Sequence, residues 1–177
     1  MLKRCFLQGI LSCTVLVGLV SCSAFTQSAD KGPLAEARTS SKKEIKVRNG
    51  IVDFSQEYVG SKYRSASKGP NSFDCSGFVH YVMKNFDIEM AGSSASQESQ
   101  GKKVSKQEAQ PGDLVFFRRS KGGRVFHVAI VLDNDNGDIT VIHSTSGRGV
   151  VIDRLKDSAY WRSKVMSFRN VVGKAGA

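Results

Sequence analysis

The fold is decided by the stretch FHVAIVLDNDNGDITVIHS, residues 126–144. Apolar and β-branched residues occupy both ends of this stretch, and Asn136-Gly137 stands between them, which is a strong signal for a tight type I′ turn. We therefore predict two antiparallel strands, residues 126–133 and residues 138–144, joined as a hairpin. The acidic turn also suggests a calcium loop, but its glycine stands at the wrong position and no glutamate follows at the twelfth, so the hairpin is favoured.

The hairpin carries two of the three histidines of the chain. His127 lies on the first strand and His143 on the second, and adjacent antiparallel strands bring such residues close together. A lone histidine in a strand is usually a hydrogen-bonded structural residue. Two histidines on paired strands indicate chemistry only if a third reactive group faces them.

Working outward from the hairpin, we expect more strands at residues 113–117, 149–153 and 165–171, because these segments are short, β-branched or aromatic and bounded by turn residues. A helical turn at residues 158–161 precedes the last of them. The predicted sheet has about five strands.

Helices are predicted before the sheet. Apolar residues recur at helical spacing over residues 51–59, with Asn49 as a possible cap and Gly60 past the end. A Gly/Ser-rich loop, residues 61–72, separates this helix from a second one that starts near Cys75. A short polar helix is expected over residues 94–100. Helices followed by an antiparallel sheet indicate an α+β fold.

Cys75 is the candidate nucleophile. At the start of a helix, unpaired backbone N–H groups and the helix dipole favour negative charge, so we expect a lowered thiol pKa. Its side of the helix continues into the apolar stripe of Phe78, Val79 and Val82, which faces the sheet. A histidine beside the sulfur completes a nucleophilic site, with a second histidine orienting the first.

Two other interpretations of Cys75 stay open. A cysteine in this position can be a buried, inert side chain. Zinc bound by Cys75, His127 and His143 is disfavoured because no closely spaced pair of Cys or His ligands exists. His80 lies about 140° round the helix from Cys75 and is interpreted as structural.

The N-terminus has the form of an export signal. Residues 1–21 begin with a charged segment and continue with an apolar run that is shorter than the ~20 residues of a membrane span. The run ends in Ser21-Cys22-Ser23, which resembles the lipobox of bacterial lipoproteins, with simple secretion as the alternative. The resemblance implies a lipid on Cys22, membrane anchoring, and a place on the outer membrane facing the periplasm.

Removal of the leader changes the cysteine chemistry. Cys75 would then be the only free thiol in an oxidising compartment, with no partner for a disulfide. Residues 22–46 are poor in large apolar residues and read as a flexible tether. The folded domain is expected over residues 47–172, with a short tail at 173–177.

Four motifs carry a resemblance to a known family: DCSGFV at residues 74–79, PGDLVFF at 111–117, HVAIVL at 127–132 and IHS at 142–144. Together they resemble the NlpC family of papain-like peptidoglycan peptidases. The resemblance implies a papain-like fold and a cysteine endopeptidase that cleaves stem peptides through an acyl-enzyme, without a metal or an organic cofactor. The bond is either the γ-D-glutamyl–diamino acid link or the D-alanyl–diaminopimelate cross-link.

The same resemblance assigns roles to individual residues. Cys75 would be the nucleophile, His127 the general base and acid, and His143 the orienting third residue. Tyr63 matches the family tyrosine whose hydroxyl lies near the sulfur and the oxyanion.

The resemblance has weaker parts as well. Asp74 and Ser76 match positions that contact the substrate amine in some relatives, although Asp74 also suits a helix cap. The chain departs from the family pattern at residues 65–67, where paired glycines are usual, and at residues 91–94, where a Pro-Arg-Ser/Thr run is common.

The positive net charge limits the classes of binding partner that are expected. The net charge is +10, and a basic cluster precedes the His127 strand; its members are Arg118, Arg119, Lys121 and Arg124. Such a rim would attract the carboxylates of peptidoglycan stem peptides, and salt should weaken the attraction. Nucleic acid is disfavoured because no basic-aromatic recognition motif is present and the leader exports the chain. A monomer is expected.

Two rival functions remain at this point. One is a catalytically silent envelope-binding lipoprotein on the same fold. The other is a relative that transfers the acyl group to an amine instead of to water.

Overall fold

The computed structural model describes the backbone of residues 33–174, with side chains from residue 41 to residue 173. The predicted export signal, residues 1–21, and the predicted lipidation site, Cys22, lie outside the described residues. Within residues 33–174, no helix combines the length and the apolar character that a membrane span requires.

The described chain forms four helices, one 3₁₀ turn and eight strands. The helices are α1 (Pro33–Gln56), α2 (Cys75–Lys84), α3 (Ser94–Gln97) and α4 (Ala159–Arg162), and the 3₁₀ turn is Val172–Lys174. The strands are β1 (Lys62–Tyr63), β2 (Ser72–Phe73), β3 (Lys102–Val104), β4 (Leu114–Arg118), β5 (Val125–Asp135), β6 (Asp138–Thr145), β7 (Gly149–Arg154) and β8 (Val165–Asn170).

Six of these strands form an antiparallel sheet in the order β3-β8-β4-β5-β6-β7. The α+β prediction is confirmed. The sheet has one strand more than expected, because the edge strand β3 consists of two lysines and a valine and shows no apolar alternation. The predicted hairpin is present, and Asn136 and Gly137 have φ values of 51° and 92°, the positive φ angles of a type I′ turn.

The sheet separates two apolar clusters. On one face, side chains such as Phe116, Ile130 and Ile142 pack with α1 and α2. On the other face, Phe117, Val131 and further side chains pack around Trp161 of α4. Because strand residues alternate between faces, the three central strands β4, β5 and β6 contribute to both clusters.

The first helix is much longer than predicted. It begins at Pro33, so the flexible tether expected over residues 22–46 is wrong from that residue onward, and Asn49 lies inside the helix and does not cap it. Proline suits the first helical position, and the Ala, Glu, Lys and Arg residues that follow favour a helix although few of them are apolar.

A buried ion pair attaches α1 to the sheet. Nη1 of Arg48 donates to Oδ1 of Asp113 and to the carbonyl of Pro111, each at 2.8 Å, and the Arg48 and Asp113 side chains are 6% and 1% exposed. Burial raises the pKa of Asp113, although the N–H of Gln110 and the Arg48 guanidinium oppose this. The pair therefore fixes the helix at the residue before β4.

We expect Arg48→Met to lower the free energy of unfolding by about 3–5 kcal/mol, because Asp113 would remain buried without its partner. Without Arg48 the pKa of Asp113 rises further above its unfolded value. Stability is then retained below the unfolded pKa and lost as pH rises, so the deficit should be larger at pH 8 than at pH 4. Urea unfolding of both proteins at the two pH values measures it.

The matched control is Arg154→Met, which removes a guanidinium from an ion pair with Asp138 at the surface. Exposed pairs contribute about 1 kcal/mol or less. Equal losses in the two variants would contradict the role given to Arg48.

Candidate active site

The site lies where the ladder between β5 and β6 stops. These two strands pair from Asp135 and Asp138 as far as Ile130 and Ile142, although both continue beyond that point. Helix α2 packs against both strands. The open end of the ladder therefore leaves backbone groups free to meet the helix.

Cys75 occupies this end of the ladder. It is the first residue of α2, as predicted, and Asp74 caps the helix by accepting the N–H of Gly77 at 2.6 Å. The backbone N–H groups of Val128, Ser76 and Cys75 itself favour the charged form of the Cys75 thiol. The sulfur thus meets the residue that follows His127 on β5.

The loop before α2 packs closely on the helix. A Cβ on Gly77 would lie 2.0 Å from the carbonyl oxygen of Ser67, and that oxygen accepts the N–H of Asp74 at 2.9 Å. Ala66 turns the chain with a φ of 60°. The departure from the family pattern at residues 65–67 therefore still gives a loop that fits the start of α2.

The thiol of Cys75 differs from the sequence-based expectation. Burial raises its pKa, the three N–H groups oppose this only in part, and the charge of Asp74 raises it further. The predicted lowering of the pKa is wrong because burial outweighs the helix terminus. A neutral thiol therefore needs a base to take its proton during attack.

His127 and His143 form a hydrogen-bonded pair. Nε2 of His127 lies 2.9 Å from Nδ1 of His143, and Nε2 of His143 lies 2.9 Å from Oδ2 of Asp153. Burial lowers the pKa of both histidines; the charge of His143 adds to this effect at His127, and the Asp153 carboxylate opposes it at His143. Both rings are therefore neutral at pH 7, and the free ring nitrogen of His127 is Nδ1.

Two residues of the site, Asp153 and Arg148, are not predicted by the sequence motifs. Asp153 lies on β7, and Arg148, in the turn before β7, donates to both of its carboxylate oxygens, at 3.0 Å and 2.5 Å. The predicted strand 149–153 ended at this aspartate. Its position diagonally across from His143 follows from the strand register, which the sequence alone does not supply.

Trp161 covers the histidine pair. Its ring stacks on His127 with centroids 4.5 Å apart and lies 4.9 Å from the ring of His143. The side chain is 8% exposed. A stacked indole excludes water from the pair and so contributes to the burial that lowers both pKa values.

Cys75, His127, Arg148 and Trp161 border one cavity of about 570 Å³, whereas His143 and Asp153 lie behind its wall. Its wall includes Cys75, His127, Tyr63, Arg119, Phe126, Ser144, Thr145, Ser146, Gly147, Arg148, Ser158, Tyr160 and Trp161. Of the basic cluster 118–124 only Arg119 lies on this wall, and its guanidinium stacks over Phe126 at 4.7 Å.

Tyr63 reaches the cavity through a strand pair that the sequence did not indicate. β1 and β2 run parallel, with Tyr63 opposite Phe73; β1 lies inside the segment 61–72 that was predicted as loop, and β2 begins at its last residue. Strands of two residues have no detectable periodicity. Their pairing places Tyr63 beside the start of α2.

Asp74 and Ser76 are not among the residues of the cavity wall. The Ser76 hydroxyl donates to Oδ1 of Asp74 at 3.0 Å, and Asp74 caps the helix. Their substrate contact stays a prediction. His80 lies apart from the cavity, with Nδ1 2.8 Å from the carbonyl oxygen of Met90.

The second departure from the family pattern, residues 91–94, leads into α3. Ser93 caps this helix, and the buried amide of Gln97 donates to the carbonyls of Ser76 and Ala91 at 3.0 Å and 2.9 Å. These bonds connect the segment to the first turn of α2. In the part of the chain that the structure describes, no group of three His, Cys, Asp or Glu residues is arranged to hold a metal ion.

Comparisons with known proteins agree with this geometry. The profile of the NlpC/P60 family matches residues 60–170. The chain is 29% identical to the murein DD-endopeptidase MepS/murein LD-carboxypeptidase of Escherichia coli strain K12, over 97% of this chain and 96% of that protein. It is 34% identical to the probable endopeptidase NlpC of the same strain, over 81% of this chain and 90% of that protein.

A longer relative is the gamma-DL-glutamyl hydrolase of Bacillus subtilis strain 168, which is 33% identical over 80% of this chain but only 32% of that protein. Among solved structures, an NlpC/P60 family protein from Bacillus cereus ATCC 10987 has a TM-score of 0.65 and 29% identity, with 71% of this chain and 40% of that chain covered. The NlpC/p60 domain of the peptidoglycan hydrolase SagA has a TM-score of 0.57 and 33% identity, with 70% and 97% covered. The chain thus spans about two fifths of the first structure and nearly all of the second.

We expect iodoacetamide to alkylate Cys75 with a midpoint pH above that of the same cysteine in the urea-unfolded chain. The thiolate is the reactive form, and burial keeps the folded thiol protonated between the unfolded and the folded pKa. Mass spectrometry of the Cys75 peptide, over a series of pH values, separates it from the other cysteines. A folded midpoint at or below the unfolded one would show a preformed thiolate.

Proposed function

The chain belongs to the NlpC/P60 family and is a peptidoglycan endopeptidase, and from this premise we propose that Cys75, His127 and His143 form its catalytic centre. The family resemblance of the sequence motifs is thereby confirmed. The observation that carries the proposal is that the Cys75 sulfur and the His127 ring border the same cavity, with a polarised chain of hydrogen bonds behind the ring.

The first step follows from the protonation states. The sulfur of Cys75 attacks the peptide carbonyl carbon while its proton moves to Nδ1 of His127. A sulfur–carbon bond forms, and the π electron pair of the carbonyl moves to oxygen. We assign stabilisation of this oxyanion to the Tyr63 hydroxyl and to the backbone N–H groups at the start of α2.

The later steps return the enzyme to its starting state. Protonated His127 gives its proton to the leaving nitrogen as the carbon–nitrogen bond breaks, which leaves an acyl-enzyme. Nδ1 of His127 then removes a proton from water, the hydroxide adds to the acyl carbon, and the thiol leaves with that proton. Throughout, His143 accepts the Nε2–H of His127 and holds the ring.

We assign cleavage first to the D-alanyl–diaminopimelate cross-link. The relative that covers this chain almost end to end is named a murein DD-endopeptidase, whereas the gamma-DL-glutamyl hydrolase shares only a third of its own length. The γ-D-glutamyl–diamino acid bond is the second candidate.

The envelope location is part of the same proposal. The segment 1–21 followed by Cys22 has the form of a lipoprotein leader, which would leave a lipid on Cys22 and the enzyme on the outer membrane, facing the periplasm. Helix α1, with 24 residues, is about 36 Å long. A rigid element of this length suits an anchored enzyme that acts on a polymer at a distance from the membrane.

We expect Cys75→Ala and His127→Ala each to reduce peptide release from purified peptidoglycan by at least about a thousandfold, and the double variant to lose little more, because the two residues act as one unit. Mass spectrometry of the released muropeptides measures the rate and identifies the bond that is cut. Circular dichroism checks that each variant is folded.

The control is His80→Gln, which removes a histidine that lies outside the cavity and should keep the rate within about twofold. Unchanged hydrolysis by Cys75→Ala would eliminate the proposed mechanism. Wall binding without hydrolysis in the unaltered protein would favour the silent binding protein, and capture of the acyl group by added amine would favour a transferase.

For the anchor, we expect the full chain to incorporate an alkyne-labelled fatty acid when it is produced in a Gram-negative host, and Cys22→Ser to incorporate none. In-gel fluorescence after coupling of a dye reports the label, and fractionation reports the membrane. Equal labelling of both proteins would exclude Cys22 as the lipidation site.

A further inference from the structure

We propose that Asp153, held in place by Arg148, is a positioning residue that sets which nitrogen of each catalytic histidine carries the proton. The inference rests on the proposed function and adds two residues to it. Neither residue belongs to the set that the sequence motifs identified.

Asp153 is placed by the pairing of β6 and β7. It is opposite Val141, and His143 is opposite Val151, so Asp153 and His143 are diagonal neighbours on one face of the sheet. The His143 side chain is fully buried, and that of Asp153 is 15% exposed. The 2.9 Å contact between His143 Nε2 and Asp153 Oδ2 is therefore closed to water on the histidine side and partly open on the carboxylate side.

The carboxylate determines the tautomer of both rings. An ionised carboxylate only accepts hydrogen bonds, so Nε2 of neutral His143 must carry the proton. Nδ1 of His143 is then an acceptor, and the contact with His127 requires a proton on Nε2 of His127. Nδ1 of His127 is left without a proton, as a general base requires.

The reverse arrangement is inactive. If His143 carried its proton on Nδ1, the contact with His127 would make Nε2 of His127 the acceptor. The proton of His127 would then be on Nδ1, and the ring could not take the thiol proton. Asp153 excludes this arrangement because an unprotonated Nε2 on His143 would face a carboxylate with no hydrogen between them.

Arg148 holds the carboxylate and opposes its charge. It donates to both oxygens of Asp153. Against the opposing effect of burial, the bonds from Arg148 and His143 keep the pKa of Asp153 below its usual range. At His143 the two charges act in opposite directions: the carboxylate raises the histidine pKa, and the guanidinium lowers it.

The other titratable groups of the site lie on the elements packed around the histidine pair and on the cavity wall. They are His127 on β5, Cys75 at the start of α2 with Asp74 before it, and, on the cavity wall, Arg119, Tyr63 and Tyr160. The two variants proposed below leave all of these groups unchanged, so a shift in pH dependence is assigned to the Asp153–Arg148 pair.

The experiment compares Asp153→Asn and Arg148→Gln by the pH dependence of kcat/KM on a defined cross-linked muropeptide. The acid limb reports protonation of the histidine pair, and activity is lost as pH falls through it. We expect Asp153→Asn to lower kcat/KM by about a hundredfold or more and to move the limb to lower pH. Arg148→Gln should lose less than about tenfold and move the limb to higher pH.

The matched control is Asp138→Asn. Asp138 is a carboxylate on β6 that pairs with Arg154 of β7 and with Lys156, away from the cavity wall, so its replacement should leave the rate and the limb unchanged. The inference would be overturned if Asp153→Asn had the same rate and the same acid limb as the unaltered protein. It would also be overturned if the acid limbs of Asp153→Asn and Arg148→Gln moved in the same direction.

A second measurement does not depend on activity or on the variants. Ring ¹⁵N NMR of the unaltered protein at pH 7 should show His143 protonated on Nε2, and the opposite tautomer would overturn the inference. If the unaltered protein showed no hydrolysis that depends on Cys75, the proposed function would be refuted instead. A folded Asp153→Glu variant keeps a carboxylate and should therefore be faster than Asp153→Asn. Equal rates in Asp153→Glu and Asp153→Asn would count against the inference.

Discussion

The site depends on the gap that opens where β5 and β6 cease to pair. A closed antiparallel ladder would use the backbone groups of both strands and leave no space for a helix end. Here pairing stops at Ile130 and Ile142, and α2 meets the unpaired ends. The N–H of Val128 favours the charged form of the Cys75 thiol, and the Ser144 hydroxyl donates to the carbonyl of Phe73 at 2.7 Å. Residues of β5 and β6 beyond the last pair of the ladder thus interact with α2 and with β2.

Burial at this gap determines how the proposed nucleophile, Cys75, works. The helix terminus offers N–H groups that favour a thiolate, but removal from water disfavours any charge, and the second effect is larger for both Cys75 and His127. The resting pair on the cavity wall is therefore a neutral thiol and a neutral imidazole. Such a site gains reactivity from the position of its base and from interactions that form only as charge develops in the transition state.

Much of this arrangement follows from local sequence patterns. Cys75 lies at a helix start because a capping aspartate precedes an apolar stripe of helical period, and the two histidines lie together because Asn136-Gly137 forces a hairpin. These features depend on neighbours in the chain. The four sequence motifs indicated the family, and the family resemblance suggested the roles of Cys75, His127 and His143.

Other features depend on contacts that no local pattern contains. The pKa of Cys75 is set by burial against the sheet, the covering of His127 by Trp161 depends on how α4 packs, and Asp153 meets His143 only through the register of β6 and β7. The early start of α1 is a different case. Low apolar content was interpreted as a tether, whereas the helix is favoured by residue propensity and held at its other end by the Arg48–Asp113 pair.

The distribution of charge along the histidine chain has a physical logic. His127 and His143 are buried and neutral, so they incur no cost for a desolvated charge. The only permanent charge of the relay, the Asp153 carboxylate, lies at its outer end, where 15% of the side chain is exposed and Arg148, itself 53% exposed, neutralises it. A carboxylate placed deeper would orient the rings equally well but would carry the desolvation penalty of a buried ion. The Asp153 carboxylate therefore orients both buried rings through the two hydrogen bonds of the chain Asp153–His143–His127. The charge itself stays at the outer end, where water can solvate it.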